Sequence, residues 1–195
     1  MEQIVPRWEW RTFAQSFGEA DARFAALKPS GAQESDELYL LSPLSDENAK
    51  IRDLQMDIKA LQQVDQNGLE QWRPVMKGAF PLPAAEVTKV FNVLGLAPPP
   101  LTRAQYTLEQ LTTALGGRGG ATRVVNVHKK RVRYEVDGCL AEMTDVVADG
   151  KRTRTVAIES EDPARVIAAV RKLGLDRFEN INYPRGLKQL VGMRS

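Results

Sequence analysis

The sequence predicts an α+β fold in which about eight mostly antiparallel strands are interrupted by several helices. Runs of alternating polar and apolar residues recur along the 195-residue chain, and such alternation is typical of half-buried strands. Asp137-Gly138 and Asp149-Gly150 separate three of these runs, and Asp-Gly is the strongest short-range signal for a tight hairpin. Between other runs, apolar residues recur three and four positions apart, which indicates amphipathic helices. The length fits one domain over residues 1–195, with two small domains as the alternative.

The first half of the chain predicts strands with one early helix. A strand over residues 4–13 carries Trp8 and Trp10 on one face, and this face should pack against other residues because tryptophan seldom lies wholly in water. The run over residues 14–28 predicts a helix that ends at Pro29-Ser30-Gly31. Further strands are expected at 37–42, 48–54, 55–61 and 71–80, and Pro74 favours an edge or bulged strand for the last one.

The second half predicts helices on either side of a three-stranded meander. One helix begins after Pro83, and Thr102 is expected to cap the next one. The glycine-rich segment at 116–120 is interpreted as a linker, because no Lys-Ser/Thr pair follows it as a phosphate-binding loop requires. Strands are expected within 129–162, a helix from Asp162-Pro163, a short strand at 176–182, and a final turn or helix over 183–192.

Composition excludes several classes of function. A formal net charge of +2 gives no reason to expect a nucleic-acid partner. The only histidine, His128, and the only cysteine, Cys139, cannot form a zinc site within the chain, so any metal ion would need oxygen ligands. No apolar run approaches the ~20 residues that span a bilayer, and the first residues do not resemble a signal peptide. A cytoplasmic location without a membrane partner is expected, and the oligomeric state is left open, with a homodimer as one candidate.

Charged residues occupy one face of several predicted strands. Arg7, Glu9 and Arg11 share a face, since side chains in a strand alternate sides with period two. The same alternation groups Lys50 with Arg52, Asp57 with Lys59, Lys129 with Arg131 and Arg133, and Glu159 with Glu161. A single charged face is typical of an antiparallel sheet with one side in water. Their recurrence favours a second interpretation, in which the sheet curls into a barrel, helices cover the outside, and the charged faces line the interior.

Such an interior needs counter-charge. Two like charges ~6 Å apart repel by about 3 kcal/mol at an effective dielectric constant of ~20. A phosphate chain would supply the opposite charge, because guanidinium groups match phosphate oxygens bidentately. Glu159 and Glu161 could then hold Mg²⁺ or Mn²⁺ between the protein and the phosphates.

In their order along the chain, these motifs resemble those of the CYTH domain, the triphosphate tunnel metalloenzyme superfamily. The family begins with a Glu-x-Glu-x-Lys strand, to which Arg7, Glu9 and Arg11 correspond. Its other motifs correspond to Lys50-Ile51-Arg52, Lys59, Lys129 to Arg133, Asp145 beyond a turn, Glu159 to Glu161 before a helix, and Tyr183, Arg185 and Lys188 near the end of the chain. The resemblance implies an eight-stranded antiparallel tunnel with helices packed outside, a triphosphate or nucleotide ligand, and metal-assisted phosphoryl chemistry.

The resemblance also implies roles for individual residues. Catalysis would fall to Glu9, Arg11 and Lys59. The metal ion, Mg²⁺ or Mn²⁺, would be held by Glu9, Asp145, Glu159 and Glu161. Phosphate binding would fall to Arg7, Lys50, Arg52, Lys129, Arg131, Arg133, Arg185 and Lys188. The chain departs from the family at Arg7, because that position holds a metal-binding glutamate in the family and an arginine would repel the ion.

Three functions follow from this pattern. The first is a metal-dependent triphosphatase that acts on inorganic triphosphate or on an organic or nucleoside triphosphate. The second is a non-catalytic module that binds polyphosphate or nucleotide, which Arg7 favours. The third is a protein-interaction module in which the charged strand faces are simply in water.

Overall fold

A closed barrel of eight antiparallel strands forms the centre of the molecule. It is seen in a computed structural model that describes residues 5–116 and 122–193. The barrel strands are β1 (Arg7–Ala14), β2 (Gly31–Ser42), β3 (Ser45–Arg52), β4 (Gln55–Val64), β5 (Glu70–Ala79), β8 (Arg123–Val136), β9 (Cys139–Ala148) and β10 (Lys151–Ser160). Two further strands, β6 (Leu82–Pro83) and β7 (Gln105–Tyr106), form a separate two-stranded sheet. The predicted α+β fold with an eight-stranded antiparallel tunnel is therefore confirmed.

Neighbouring strands in the chain are mostly neighbours in the barrel. The order around it is β1, β10, β9, β8, β2, β3, β4 and β5. The barrel closes where β1 also pairs with β5, with Glu9 opposite Glu70. A closed sheet has no free edges, so every strand has a partner on each side.

Tight turns join the strands of the meander as the sequence predicts. Asp137 and Gly138 have φ values of 50° and 78°, and Asp149 and Gly150 have 46° and 81°. Two successive positive φ values are the feature of the type I′ hairpin, whose twist matches that of the flanking strands. These turns align β8, β9 and β10 so that Lys129, Arg131 and Arg133 of β8 face the same side as Glu142 of β9.

Helices cover the outside of the barrel on two sides. α1 (Glu19–Ala25) and α4 (Pro163–Lys172) pack over the outer faces of β1, β9 and β10, where Trp10 is buried among Phe24 and Val166. α2 (Ala84–Val93) and α3 (Leu108–Gly116) cover β3 and β4 through a second core that contains Ile58 and Phe91. Because the apolar faces of the strands are covered by these helices, the charged faces are left to point inward.

The last helix occupies a different position. α5 (Tyr183–Val191) contacts β1, β2, β3, β9 and β10, which lie around the barrel rather than on one side of it. Its residues Tyr183, Leu187 and Val191 form a third core with inward-facing apolar residues of the strands, such as Val125 and Val146. The helix therefore fills one end of the barrel.

Several predicted details are wrong. The segment 176–182 is a turn and irregular chain rather than a strand. The third helix begins at Leu108, and Thr107 caps it by accepting a hydrogen bond from the backbone N–H of Gln110 at 3.3 Å; Thr102 lies in the preceding loop. The interpretation of the segment at 116–120 as a linker falls almost wholly outside the described residues. Among those described, no helix has the length and apolar character needed to cross a membrane.

Candidate functional site

The interior of the barrel contains a cavity of about 140 Å³, which we call the tunnel cavity. Five cationic and three carboxylate side chains line it, together with aromatic and amide groups. The lining residues are Glu9, Arg11, Tyr39, Asn48, Lys50, Lys59, Trp72, Lys129, Arg131, Glu142, Glu159, Tyr183 and Pro184. The structure shows the predicted inward orientation for seven residues: Glu9, Arg11, Lys50, Lys59, Lys129, Arg131 and Glu159.

One group of charges is centred on Glu37, a buried carboxylate of β2. Lys129 Nζ donates to Glu37 Oε2 at 2.8 Å, and Lys50 Nζ donates to the same oxygen at 3.3 Å. Burial would raise the pKa of Glu37, but Lys129 and Lys50 outweigh it and lower the pKa to about 2. Burial lowers the pKa of Lys129 to about 7, despite the opposing effect of Glu37. At neutral pH, Glu37 is therefore an anion that both lysines contact.

A second group joins β1, β8 and β9. Arg11 Nε donates to Glu9 Oε1 at 2.8 Å, and Arg11 Nη2 donates to Glu142 Oε1 at 3.1 Å. Arg131 Nε lies 3.0 Å from the other oxygen of Glu142. Burial acts to lower the pKa of Arg11, but the two carboxylates outweigh it and raise that pKa. These contacts hold both guanidinium groups at fixed positions on the cavity wall.

Lys59 differs from the other cations of the cavity. It lies on β4 among the lining residues, and within the described chain it has no carboxylate oxygen inside 4 Å. Its positive charge acts to lower the pKa of Glu159. Lys59 is therefore available to an anion that enters the cavity.

Two stacked tyrosines form the inner end of the cavity. The rings of Tyr39 and Tyr183 lie 5.1 Å apart with an interplanar angle of 16°. Lys129 Nζ lies 4.1 Å from the Tyr183 centroid, and Arg11 Cζ lies 4.9 Å from it. A cation over an aromatic face is stabilised by the ring quadrupole. The pair thus supports two cations without neutralising their charge.

Four buried polar side-chain atoms of the described residues make no hydrogen bond: Asn48 Oδ1, Arg131 Nε, Thr144 Oγ1 and Tyr183 Oη. Of these, Arg131 Nε still has its ionic contact with Glu142, whereas the other three have no such compensation. Three of the four belong to residues that line the tunnel cavity. Thr144 lies on the same inward face of β9 as Glu142, two positions away. Because buried polar groups are nearly always satisfied in native proteins, their concentration on one inner surface indicates a site for a polar ligand.

Three glutamates occupy facing register positions on neighbouring strands, and two of them, Glu9 and Glu159, line the cavity. In the register of the strands, Glu9 is opposite both Glu159 of β10 and Glu70 of β5. Burial and then Glu9 raise the pKa of Glu159. Burial raises the pKa of Glu70 as well, with Glu9 adding to it and a hydrogen bond from Asn182 opposing it. Carboxylates directly opposite each other are destabilising, so a cation between them would be favourable.

Three predicted phosphate-binding arginines, all at least partly exposed, lie outside the lining of the tunnel cavity. The side chain of Arg7 is 47% exposed, and its Nη1 lies 3.8 Å from Glu159 Oε2. Arg52 Nη1 lies 3.7 Å from Glu37 Oε1. Arg133 is exposed and donates to Gln33 Oε1 at 2.7 Å.

The structure does not bring four other predicted residues to the cavity. Asp145 is on the outer face of β9, where Arg154 Nε lies 3.4 Å from its carboxylate; it alternates with Glu142 and Thr144, which face inward. Glu161 is exposed beyond the end of β10. These positions correct the expected metal ligands Asp145 and Glu161.

Lys188 and Arg185 are corrected in the same way. Lys188 is buried, and its Nζ donates to the carbonyl of Ser45 at 2.8 Å and to Asp46 Oδ1 at 2.7 Å. It therefore fastens α5 to β3 and is not free to bind phosphate. Arg185 is partly exposed, 3.9 Å from Glu179, and is not among the lining residues.

Sequence reasoning missed the two carboxylates that organise the cations, Glu37 and Glu142. Glu142 was detectable, because it shares a strand face with Thr144 and lies opposite the basic strand in the hairpin that Asp137-Gly138 closes. Glu37 alternates with Tyr39, but its strand is paired with β8, which is distant in the chain, so no local signal connects it to Lys129. The only histidine and the only cysteine of the sequence do not line the cavity. His128 contacts Asp36 at 2.8 Å and Glu34 at 3.1 Å, and Cys139 is buried.

Comparisons with solved structures found the same architecture. A putative adenylyl cyclase from Hippeastrum, described as having a dominant triphosphatase activity, superposes with a TM-score of 0.53 at 15% identity, covering 95% of this chain and 96% of that one. A conserved hypothetical protein from Pyrococcus furiosus superposes with a TM-score of 0.50 at 18% identity, covering 91% of this chain and 98% of that one. A comparison with protein-family models and one with curated proteins each found no match.

Identities this low establish the fold alone. The match extends over nearly the whole of each chain, and the closed barrel, the inward charges and the closing helix agree with the resemblance described from the sequence. The chain therefore shares the closed-barrel fold of these proteins.

Proposed function

We propose that the protein binds a triphosphate-containing compound in the tunnel cavity and hydrolyses it with Mg²⁺ or Mn²⁺. The observation that carries this proposal is the enclosed cavity, where five cationic side chains meet three carboxylates of the lining and a fourth, Glu37, that Lys129 and Lys50 contact. An excess of buried cations is unfavourable unless an anion compensates it. A triphosphate carries several negative charges along a chain of oxygens, which suits cations distributed over several strands.

The cations of the cavity divide into fixed and available groups. Arg11 and Arg131 are oriented by Glu142, so their remaining N–H groups are positioned before a ligand arrives. Lys50 and Lys59 add charge from β3 and β4 on the cavity wall. Phosphoryl transfer depends largely on positioning and on neutralising the charge that spreads over the phosphate oxygens, and preorganised cations perform both tasks.

A divalent metal ion fits the acids that remain. Glu9 and Glu159 are opposite each other in the cavity, and Mg²⁺ is usually bound by one or two carboxylates together with substrate phosphates. Among the described residues no three metal-ligating side chains converge, so phosphate oxygens and water would complete the coordination. When bound, the ion would supply Lewis-acid polarisation of a phosphoryl oxygen. Glu9 and Glu159 would be its protein ligands, with Glu70 as a neighbouring carboxylate.

The test is phosphate release from tripolyphosphate and from nucleoside triphosphates in the presence of Mg²⁺ or Mn²⁺. The wild type is expected to release phosphate, and Glu159→Gln is expected to lose at least about tenfold in rate while still binding ligand, since one protein ligand of the metal is gone. Glu161→Gln is the matched control, because Glu161 lies outside the cavity and its loss should change little. No metal-dependent release above that of Glu159→Gln would rule out the hydrolase.

A second candidate is binding of polyphosphate or nucleotide without turnover. Arg7 favours it, because its guanidinium lies 3.8 Å from Glu159 and competes with a metal ion for that carboxylate. This function predicts thermal stabilisation by tripolyphosphate in the presence of EDTA, as any ligand selective for the native state gives. Unchanged melting with millimolar tripolyphosphate, with or without metal, would exclude both candidates and favour a protein-interaction module.

A further inference from the structure

We propose that one edge of β2 and the groove beside it bind an extended, positively charged segment of a partner protein, which adds to the sheet as a further strand. This edge covers residues 31–36, and we call it the β2 edge. The inference concerns the outside of the barrel and does not depend on the proposed triphosphate binding. The partner is defined by its chemistry: a chain in strand conformation with cationic side chains on its outer face and an apolar side chain after them.

The first support is a stretch of backbone that has a neighbour on one side alone. β2 has a partner on each side, but not along its whole length. Its pairing with β8 runs from Gly31 to Leu41, whereas its pairing with β3 ends where Leu38 faces Ile51. Among the described residues no other strand pairs with the β2 edge, and none of its six residues is buried.

Such an edge has hydrogen-bonding groups to offer. In an antiparallel strand, alternate residues direct their N–H and C=O groups to opposite neighbours, so part of the backbone of the β2 edge points away from β8. The edge contains neither proline nor lysine, two residues with which natural edge strands prevent pairing. An extended chain can therefore bond to it through main-chain groups, as in other cases of strand addition.

The second support is the charge of the outer face. Glu34 and Asp36 lie on that face of the β2 edge with side chains 59% and 89% exposed. Asp53, in the turn after β3, is also 89% exposed. His128 and Lys130 contact these acids, but from the β8 side, since they lie opposite Asp36 and Glu34 in the register. The side away from β8 therefore attracts cations of an added strand.

The same charges make a second copy of this chain a poor partner. Antiparallel pairing of two β2 edges would bring Glu34 and Asp36 of one copy close to the same acids of the other. Like charges on facing strands are destabilising, and unfavourable contacts of this kind discriminate between partners. The β2 edge therefore selects a cationic strand over a second copy.

The third support is a groove that adjoins the β2 edge. It has a volume of about 460 Å³, and Asp36 lines it together with the turn after β3. Its apolar lining residues are Leu38, Ile51, Leu54, Leu108 and Val147. In strand addition, main-chain hydrogen bonds supply affinity and side-chain pockets supply specificity. The groove suits an apolar side chain that follows the paired residues of the partner.

The experiment uses synthetic peptides as probes of the folded protein. The test peptide alternates lysine with threonine and ends in leucine, which matches the acids of the β2 edge and then the groove. One control peptide has glutamate in place of lysine. The other has the side chains of the test peptide but N-methylated amides, which cannot donate to a strand. Isothermal titration should detect binding of the test peptide, and both controls should bind at least about tenfold more weakly.

Hydrogen exchange shows where the test peptide binds. Amides of the β2 edge that do not bond to β8 should exchange more slowly in the complex, because the added strand accepts hydrogen bonds from them. Protection confined to other strands would place the peptide elsewhere and overturn the proposal.

Reversal of one charge tests the outer face. Asp36→Lys should weaken binding of the test peptide at least about threefold, because an exposed ion pair is replaced by repulsion. Glu161→Lys is the matched control, since it changes the net charge equally but follows β10, which does not pair with β2. Its affinity should stay within about twofold of that of the wild type. Equal losses would show that the peptide responds to net charge alone and would overturn the site.

The remaining outcomes leave the proposed function of the tunnel untouched. No binding of the test peptide, or equal binding of its N-methylated form, would overturn strand addition at the β2 edge. Dimerisation without peptide that protects the same amides would show that a second copy occupies the edge, and would overturn the choice of a cationic partner.

Discussion

Lys129 is the buried cation of the tunnel whose charge is most sensitive to pH. Burial lowers its pKa to about 7, so above that pH the free protein holds it mostly neutral. A phosphate bound nearby favours the charged form, and binding above pH 7 must then take up a proton.

The arginine of the variant Lys129→Arg stays charged at every pH of the test. We therefore expect the affinity for tripolyphosphate to increase less with rising pH in the wild type than in Lys129→Arg. Titration at pH 8 in buffers of different ionisation enthalpy measures the protons taken up. The comparison with Lys129→Arg removes the contribution of the ligand's own ionisation. Identical proton uptake by the two proteins would show that Lys129 does not titrate on binding.

Substitution of Arg7 distinguishes the two candidate functions, hydrolysis and binding without turnover. Replacing it with glutamate removes a competitor for Glu159 and adds a carboxylate beside the three existing ones. If the tunnel is an enzyme weakened by Arg7, Arg7→Glu should raise the metal-dependent release of phosphate. Arg7→Gln serves as control, because it removes the cation without adding a ligand. Equal activity of Arg7→Glu and Arg7→Gln would show that no metal site had been lost at this position.

At the level of elements, α5 determines the shape of the cavity. The contact of Gly186 with the Phe13 ring leaves no space for a methyl group. Overpacking costs about 1–3 kcal/mol, which exceeds the gain of up to about 1 kcal/mol from replacing glycine by alanine in a helix. Gly186→Ala should therefore lower the melting temperature, by about 2–4 °C for each kcal/mol lost.

The matched control is Gly31→Ala at the start of β2, where an added Cβ would meet no atom within 4 Å. Its melting temperature should stay close to that of the wild type. Equal melting of the two variants, measured by differential scanning calorimetry, would show that α5 is not tightly packed in the barrel.

Local signals in the sequence predicted the strands well but their ends less well. The Asp-Gly turns of the meander have a mechanism that the sequence reveals, because glycine adopts positive φ readily. The turn between β3 and β4 uses Asp53 and Leu54 at φ values of 51° and 56°. Leucine seldom adopts this conformation, so the first of the two strands was predicted to extend to Leu54 instead of ending at Arg52. Similarly, β2 begins at Gly31, six residues before the predicted start, because its polar first half is stabilised by pairing with β8.

The sequence predicted the residues of the site only where alternation along a single strand determines which side chains face inward. Period-two spacing correctly placed Arg11, Lys50 and Arg131 on the inner face. Asp145 was matched to a family motif by its order in the chain. The same period-two spacing puts it on the face of β9 that points away from Glu142. The burial of Lys188 depends on the contact of α5 with Ser45 and Asp46, which are more than a hundred residues away in the chain, and no local pattern reports such a contact.

At the scale of the whole molecule, the fold encloses many charged side chains and pairs most of the cations with carboxylates. Outer helices bury the apolar faces of the strands, which forces the polar faces inward. Glu37 and Glu142 then compensate most of the inward charge, while an excess of cations remains in the cavity. The barrel thus pairs most of its inward charges within the protein and keeps cationic groups in the cavity for an anion.

The most direct test of this account is the affinity for tripolyphosphate of three proteins: the wild type, Arg131→Ala and Lys130→Ala. Arg131 and Lys130 are neighbours on β8, but Arg131 lines the cavity, and Lys130 is exposed outside, 3.6 Å from Glu34. Isothermal titration should show a loss of at least about tenfold for Arg131→Ala, as expected for a charge-assisted hydrogen bond, and a change within about twofold for Lys130→Ala. Equal losses for the two variants, or no binding by the wild type, would contradict a phosphate site inside the barrel.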